Sequence, residues 1–216
     1  MTATLTAADR LSARPTDDGA FFEWKFDRVR APRDALPRAR CTDVLRDSAP
    51  KLVLFAAPPG FGKTTLLAQW REVDSRTFAC VSLDSGDNDP VKCWSYIVQA
   101  VRHAAPDWGA AALSALREPR ADVVDAVVPA VLHDLEALDE NLVLVLDDYQ
   151  EITNRSCHDL LNFFLERTPG NVTVALSTRS DPPIPMGRLR ALEELLELRA
   201  VDLSFTEAES ATFLNE

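Results

Sequence analysis

The sequence predicts an α/β domain of three layers, with helices on both sides of a central parallel sheet. Three observations predict it. Short apolar stretches alternate with helix-like segments along most of the chain, the pattern of repeated βαβ units. The apolar stretches are unbroken instead of alternating with polar residues, as in strands covered on both faces. A glycine-rich turn, Gly60-Phe61-Gly62-Lys63-Thr64-Thr65, stands between the first apolar stretch and the helical pattern that follows it. At 216 residues the chain suits one large domain with extensions.

Residues 1–20 mix Thr, Ala, Ser and Asp without periodicity, so 1–24 is expected as a flexible tail. From Phe21 to Arg40 the composition turns aromatic and basic. Pro32 and Pro37 argue against a continuous helix there, so Phe21 to about Arg40 is expected as an extended stretch on the domain surface, within an arm over 25–48 that precedes the core. The core domain is expected over 49–205. Its strands are read at 51–56, 77–83, 142–146, 172–177 and 195–198. Its helices are read at 64–73, from the cap Asn88-Asp89-Pro90 to 104, at 121–138 with a kink at Pro129, and at 156–167. Thr206-Glu207-Ala208-Glu209 has capping-box spacing, so 206–216 is expected as the start of a truncated helical domain.

Hydrophobic residues make up 46% and charged residues 26%, ordinary values for a globular protein. No apolar run approaches the roughly 18–20 residues of a membrane helix, and the first residues lack the basic and apolar regions of a secretory signal. A cytoplasmic protein without membrane contact is expected. The net charge is −11, while residues 1–40 alone carry +2. So acidic a body repels phosphate backbones and argues against nucleic-acid binding by this chain. The four cysteines are isolated and read as reduced thiols, and the three histidines have no metal-ligand spacing.

The glycine-rich turn carries the chemistry. The phosphate-loop pattern is GxxxxGK followed by Ser or Thr, and residues 57–64 match it except that Ala57 replaces the first glycine. Gly60 and Gly62 allow a backbone geometry in which successive N–H groups face phosphate oxygens, helped by the positive end of the next helix. Pro59, Gly60, Phe61, Gly62, Lys63, Thr64 and Thr65 are therefore the candidate phosphate-binding residues. Lys63 is expected to neutralise the β- and γ-phosphates, and the Thr64 hydroxyl to bind Mg²⁺. The apolar strand at 142–146 delivers Asp147 and Asp148 to the C-terminal sheet edge, where open α/β sheets bind nucleotides. Asp147 is the candidate second Mg²⁺ holder. Asp148 is the candidate for polarising the attacking water, or else a loop acid or helix cap, with Glu151 a weaker candidate. Arg179, just beyond the strand at 172–177, is placed to sense a γ-phosphate, or else pairs with Asp181 or another carboxylate.

These separated motifs, in this order, resemble the STAND class of P-loop ATPases, in its branch of MalT-like and large LuxR-type regulators. The resemblance covers about residues 25–216. It rests on residues 51–70, on Val81-Ser82-Leu83-Asp84 with Asp87-Asn88-Asp89-Pro90, and on 142–150, 177–183 and 195–206. It implies a P-loop NTPase fold of the ASCE type with strand order 5-1-4-3-2. The implied ligands are ATP or ADP with Mg²⁺. The implied function is a regulatory switch that binds ATP and hydrolyses it slowly, closed with ADP and self-associating with ATP. Leu36-Pro37-Arg38-Ala39-Arg40 matches a small arm motif that would bring Arg38 or Arg40 near the base or phosphates, although the acidic residue usual within that motif is absent. The implied partners are nucleotide, further copies, or the downstream domains of a longer regulator, with any DNA contact outside this chain. A non-hydrolysing interaction module is the first alternative. The second is a small-molecule kinase, which needs an acceptor pocket and an arginine-rich lid. Residues 180–192 hold Arg188 and Arg190 but also Asp181 and three prolines, and read as a connecting loop.

Overall fold

A computed structural model describes residues 22–118 and 122–215. The expected tail thus lies almost wholly outside the described residues, as does Ala121, the first residue of one expected helix. In chain order the elements are α1 (Trp24–Asp27), α2 (Ala39–Arg46), β1 (Leu52–Ala56), α3 (Lys63–Val73), β2 (Thr77–Ser82), α4 (Pro90–Ala104) and α5 (Ala110–Leu116). They continue as α6 (Val128–Glu136), β3 (Leu142–Asp147), α7 (Arg155–Arg167), β4 (Val172–Thr178), α8 (Met186–Ala191), β5 (Leu195–Arg199), α9 (Ala200–Leu203) and α10 (Glu207–Asn215).

Among the described residues the strands form one sheet in the order β2-β3-β4-β1-β5, with every pairing parallel. This is the expected 5-1-4-3-2 order read from the other edge. Side chains alternate between the two faces of each strand. Leu52, Leu54, Leu142, Leu144, Leu146, Val174 and Leu176 join one core with residues of α4, α6 and α7. Val53, Phe55, Val143, Val145 and Ala175 join a second core with Leu66, Leu67 and Trp70 of α3 and Leu45 of α2. Each such side chain, once buried, contributes about 1.5–3 kcal/mol, so β1, β3 and, apart from Thr173, β4 gain from being apolar until their C-terminal ends.

The helix starts follow local chemistry. Asp89 accepts from the Lys92 N–H at 2.9 Å and Pro90 occupies the first turn of α4. Asn154 accepts from the Ser156 N–H at 2.9 Å to open α7. Thr206 and Glu209 exchange the two bonds of a capping box at the start of α10. The helix read at 121–138 opens instead as a π-helical turn over Val123–Val127 and becomes α-helical from Val128. Pro129 lacks an N–H and its ring crowds the carbonyl four residues back, which a wider turn relieves.

Two expectations about the ends of elements need correction. The segment 25–48 is no extended arm laid on the surface. It forms α1 and α2, and Phe26, Val29, Cys41 and Leu45 are buried in the two cores. The prolines do fall between the helices, but aromatic and aliphatic side chains beside them fill space on both faces of the sheet. The second miss is α5, whose run Ala110-Ala111-Ala112-Leu113 has high helix propensity but too little apolar periodicity to stand out. No described helix is long and apolar enough to cross a membrane. All four cysteines are free and buried.

Trp70 reports on the α3 face of the core. It is fully buried, meets Phe78 edge-on at 5.1 Å between ring centres, and donates from Nε1 to Asp74 Oδ2 at 2.7 Å. Replacing Trp70 with Ala is expected to lower unfolding free energy by about 3–5 kcal/mol in urea titrations. A loss below about 1 kcal/mol would contradict this packing.

Candidate functional site

The site lies at the C-terminal ends of β1, β3 and β4. After β1 the chain turns through Ala57–Gly62 and enters α3 directly at Lys63. Gly60 (φ 88°) and Gly62 (φ 72°) adopt left-handed backbone that side chains rarely tolerate, which is why glycine stands at both. Ala57, where the common pattern has glycine, keeps a negative φ and is buried in the second core. A methyl group fits there, and the loop keeps its course. Pro58, Pro59 and Gly60 are exposed along the open side of the loop.

Lys63 folds back over this loop. Its ammonium donates to Ala57 O at 2.6 Å and Pro58 O at 3.1 Å. Burial lowers its pKa from the usual lysine value, Asp147 and Asp148 oppose that, and Arg179 adds to the lowering. The next residue, Thr64, donates from its hydroxyl to Asp147 Oδ2 at 2.9 Å. Asp147 is 1% exposed, at the end of β3. Burial raises its carboxyl above the ordinary value, while the hydroxyls of Ser177 and Thr64 and the Asp148 N–H oppose this and the Asp148 charge reinforces it. Ser177 sits beside the carboxylate on β4 with its hydroxyl buried and without a well-formed bond. A carboxylate and a hydroxyl meeting at the head of a phosphate loop are the hard oxygen donors that suit Mg²⁺. Two protein oxygens are also what Mg²⁺ needs when phosphates and water complete its shell.

Asp148 has left-handed backbone (φ 58°), a strained conformation that Asp tolerates better than most residues. Its N–H donates to Asp147 Oδ1 at 3.0 Å, and its own carboxylate accepts from Gln150 Nε2 at 2.9 Å. The strained turn therefore orients both acids at once. Arg179, half-exposed past β4, lies 4.0 Å from Glu151 and not against Asp181, which instead pairs with Arg199. Arg38 borders the loop from the other side, in a cleft of about 380 Å³ with Pro59, Phe61 and Phe205. Its donors point to Glu209 and to the carbonyls of Leu203 and Ser204. Arg40 is exposed and donates to Asp202 O at 2.8 Å.

Sequence reading treated Asp84 and Asp87–Pro90 only as a family mark and a helix cap. The structure makes them the frame of the loop after β3. Asn88 Oδ1 accepts from the N–H groups of Thr153 (2.7 Å) and Asn154 (2.9 Å), and its Nδ2 donates to Glu151 O at 2.9 Å. Asp87, fully buried, pairs with Lys25, which also meets Asp84 at 2.8 Å and lies 4.4 Å from the Tyr96 ring centre. Lys25 comes from α1, so the arm supports the loop that holds Asp148 and Glu151. The signal available was a lysine among aromatics and an Asp-rich turn, neither of which specifies its partner.

No protein-family model matches the chain. The HTH-type transcriptional regulator MalT of Vibrio cholerae is 31% identical over 193 residues, an alignment covering 89% of this chain and 21% of that protein. The serine/threonine-protein kinase PknK of Mycobacterium tuberculosis is 32% identical over 183 residues, covering 83% of this chain and 16% of that one. The chain thus spans about a fifth of the length of these curated relatives, or less. Among solved structures, Orc1 of Aeropyrum pernix in complex with DNA superposes with a TM-score of 0.56 at 18% identity, over 89% of this chain and 52% of that one. Cdc6p of Pyrobaculum aerophilum gives 0.52 at 15% identity, over 90% and 52%. At such identities the likeness is one of fold.

Two outcomes are expected of the ligand-free protein. The raised Asp147 carboxyl binds its proton more tightly folded than unfolded, so its contribution to stability declines as pH rises from 3.8 through the folded value. Asp147→Asn should abolish that decline and unfold no more easily at neutral pH, as urea midpoints from about pH 4 to 7 would reveal. Lys25→Met should destabilise by about 1–3 kcal/mol by leaving buried Asp87 with only the longer Lys92 contact at 3.5 Å and the Asp84 N–H, and adding Asp87→Asn should restore part of the loss.

Proposed function

The chain belongs to the MalT-like branch of the STAND-class P-loop ATPases, and from that premise we propose that it is an ATP-binding, slowly hydrolysing switch module of a longer cytoplasmic regulator. One observation carries the reading. At the sheet edge where α/β folds bind nucleotides, the Lys63 ammonium rests on the carbonyls of its own loop beside a Thr64–Asp147 oxygen pair. Arriving phosphates offer Lys63 stronger, charged acceptors than those carbonyls. In this reading the N–H groups from Pro59's successor Gly60 to Thr65 cradle the phosphates, and Lys63 neutralises the β- and γ-groups. Thr64 and Asp147 would hold Mg²⁺, which supplies charge neutralisation across the phosphate oxygens.

Asp148 would orient the attacking water, and Arg179 would exchange Glu151 for the γ-phosphate. Arg38 would serve the base side of the nucleotide. The engagement of Asp148 with Gln150 and of Arg179 with Glu151 supports slow turnover, because both groups must be freed before hydrolysis. The same contacts favour the second reading, a module that binds nucleotide without hydrolysing it. A small-molecule kinase draws no support from the lid arginines: Arg188 pairs with Glu166 and Arg190 with Glu197. The net charge of −11 supports leaving any DNA contact to other parts of a longer protein. Residues 206–215 we read as the beginning of the following helical domain, and further copies or downstream domains as the partners.

Titration with fluorescent ADP and ATP analogues in the presence of Mg²⁺ tests the site. Wild type should saturate, and Lys63→Ala should lose at least about 100-fold in affinity while its thermal unfolding stays cooperative. Unchanged affinity in Lys63→Ala would sink the assignment. Asp148→Asn should reduce ATP turnover by a factor on the order of 100 without weakening ATP binding. Equal turnover would take Asp148 out of the chemistry and favour the non-hydrolysing module.

A further inference from the structure

Glu209, which closes the capping box of α10, lies on a helix whose other described side chains are mostly exposed. Its own side chain is 16% exposed. One carboxylate oxygen, Oε1, accepts from Arg38 Nε at 3.1 Å, and the other, Oε2, accepts from the Thr206 N–H at 2.7 Å that opens α10. Arg40 adds a longer contact at 3.8 Å. One carboxylate thus caps α10 and neutralises a guanidinium on the arm.

Arg38 in turn has little freedom. Its side chain is 7% exposed, it donates to Leu203 O at 3.0 Å and Ser204 O at 3.3 Å, and its guanidinium carbon lies 4.8 Å from the centre of the Phe205 ring. Its backbone N–H donates to Gln69 Oε1 at 3.1 Å, and Gln69 Nε2 donates to Leu36 O at 2.8 Å. Gln69 belongs to α3, the helix that begins at the phosphate loop. A continuous series of contacts therefore runs from the helix behind the loop, through Gln69 and Arg38, to Glu209 and α10. The cleft beside it is walled by Phe61 and Phe205, with Arg38, Leu203 and Ser204 between them. Aromatic walls with a fixed guanidinium suit a planar heterocycle and offer nothing to a bare phosphate chain except the loop itself.

We propose that Glu209 is a positioning residue for the base end of the nucleotide, acting through Arg38 to hold the Phe205 side of the cleft closed against the phosphate loop. The proposal rests on the nucleotide-binding reading above. It makes base recognition depend on a residue about 170 positions from Arg38 and couples the seating of α10 to an occupied cleft.

The test compares two probes on the full chain, fluorescent ADP and inorganic tripolyphosphate, the latter by competition. Glu209→Gln keeps an oxygen acceptor for the Thr206 N–H, as capping boxes with glutamine do, but loses the charge that holds Arg38. It should weaken ADP about tenfold and leave tripolyphosphate within about twofold. Glu209→Asp should recover part of the ADP affinity. Equal weakening of both probes would overturn the proposal in favour of a purely structural Glu209, and so would unchanged ADP affinity. If Glu209→Gln fails to melt cooperatively, Glu209→Asp carries the same comparison, with a smaller loss of ADP affinity and tripolyphosphate again within about twofold. Wild type that binds neither probe would instead bring down the nucleotide reading, and this proposal with it.

Discussion

Covering both faces of a parallel sheet leaves polar chemistry one outlet, and the rest of this molecule follows from that constraint. In β1, β3 and, apart from Thr173, β4 each successive residue before the strand end enters one core or the other, so nearly every position is apolar until there. At those ends the register brings Ser82, Asp147 and the neighbouring Ser177 to the same edge on the α3 side. The same edge receives the N-terminus of α3, whose first N–H groups have no partners within the helix. Apolar strands and a charged site are therefore two consequences of one architecture.

Every charge brought near that architecture is matched. Asp147 is raised by burial and is held by Thr64 and the Asp148 N–H. Lys25 and Asp87, almost without exposure, pair beside the Tyr96 ring, with Asp84 adding to Lys25 and Lys92 to Asp87. An ion pair at such depth gains little over an apolar pair of equal volume, but it is costly to break from one side. Its consequence here is placement: Asp87 leads to Asn88, whose amide fixes the backbone of Glu151, Thr153 and Asn154. The left-handed Asp148 backbone persists between two such anchors, the end of β3 and the loop that Asn88 holds.

The two sides of the phosphate loop are built from distant parts of the chain. On one side stand the acids after β3, braced by α1. On the other stand Arg38 before α2 and the turn from α9 into α10, joined by Glu209. Both meet at the loop that carries Lys63: Asp147 accepts from Thr64, and Arg38 shares a cleft with Pro59 and Phe61. The residues that flank the phosphate loop thus come from near both ends of the described chain.

Much of this was legible from local rules. Strand and helix identities followed from apolar continuity and caps, because burial on two faces and unpaired helix ends leave unambiguous residue patterns. The phosphate loop with Lys63 and Thr64, and Asp147 at a strand end, are likewise local: the glycines are needed by their own φ angles and the acid by its own strand. The helices α1, α2, α5, α8 and α9 were missed, α8 inside the segment read as a connecting loop, because they are short and their stability comes from what they pack against. The partners of Arg38, Lys25 and Asn88 could not be read at all, and that of Arg179 only as a nearby carboxylate. Ion pairs and hydrogen bonds between residues 60–170 positions apart leave no periodicity in a sequence, since any acid of suitable reach would serve. The sequence by itself determined the layers, the sheet and the phosphate loop, where each residue answers to its immediate backbone. Only the tertiary structure decided which charges meet across it, because that depends on how distant segments come to share a low-dielectric space.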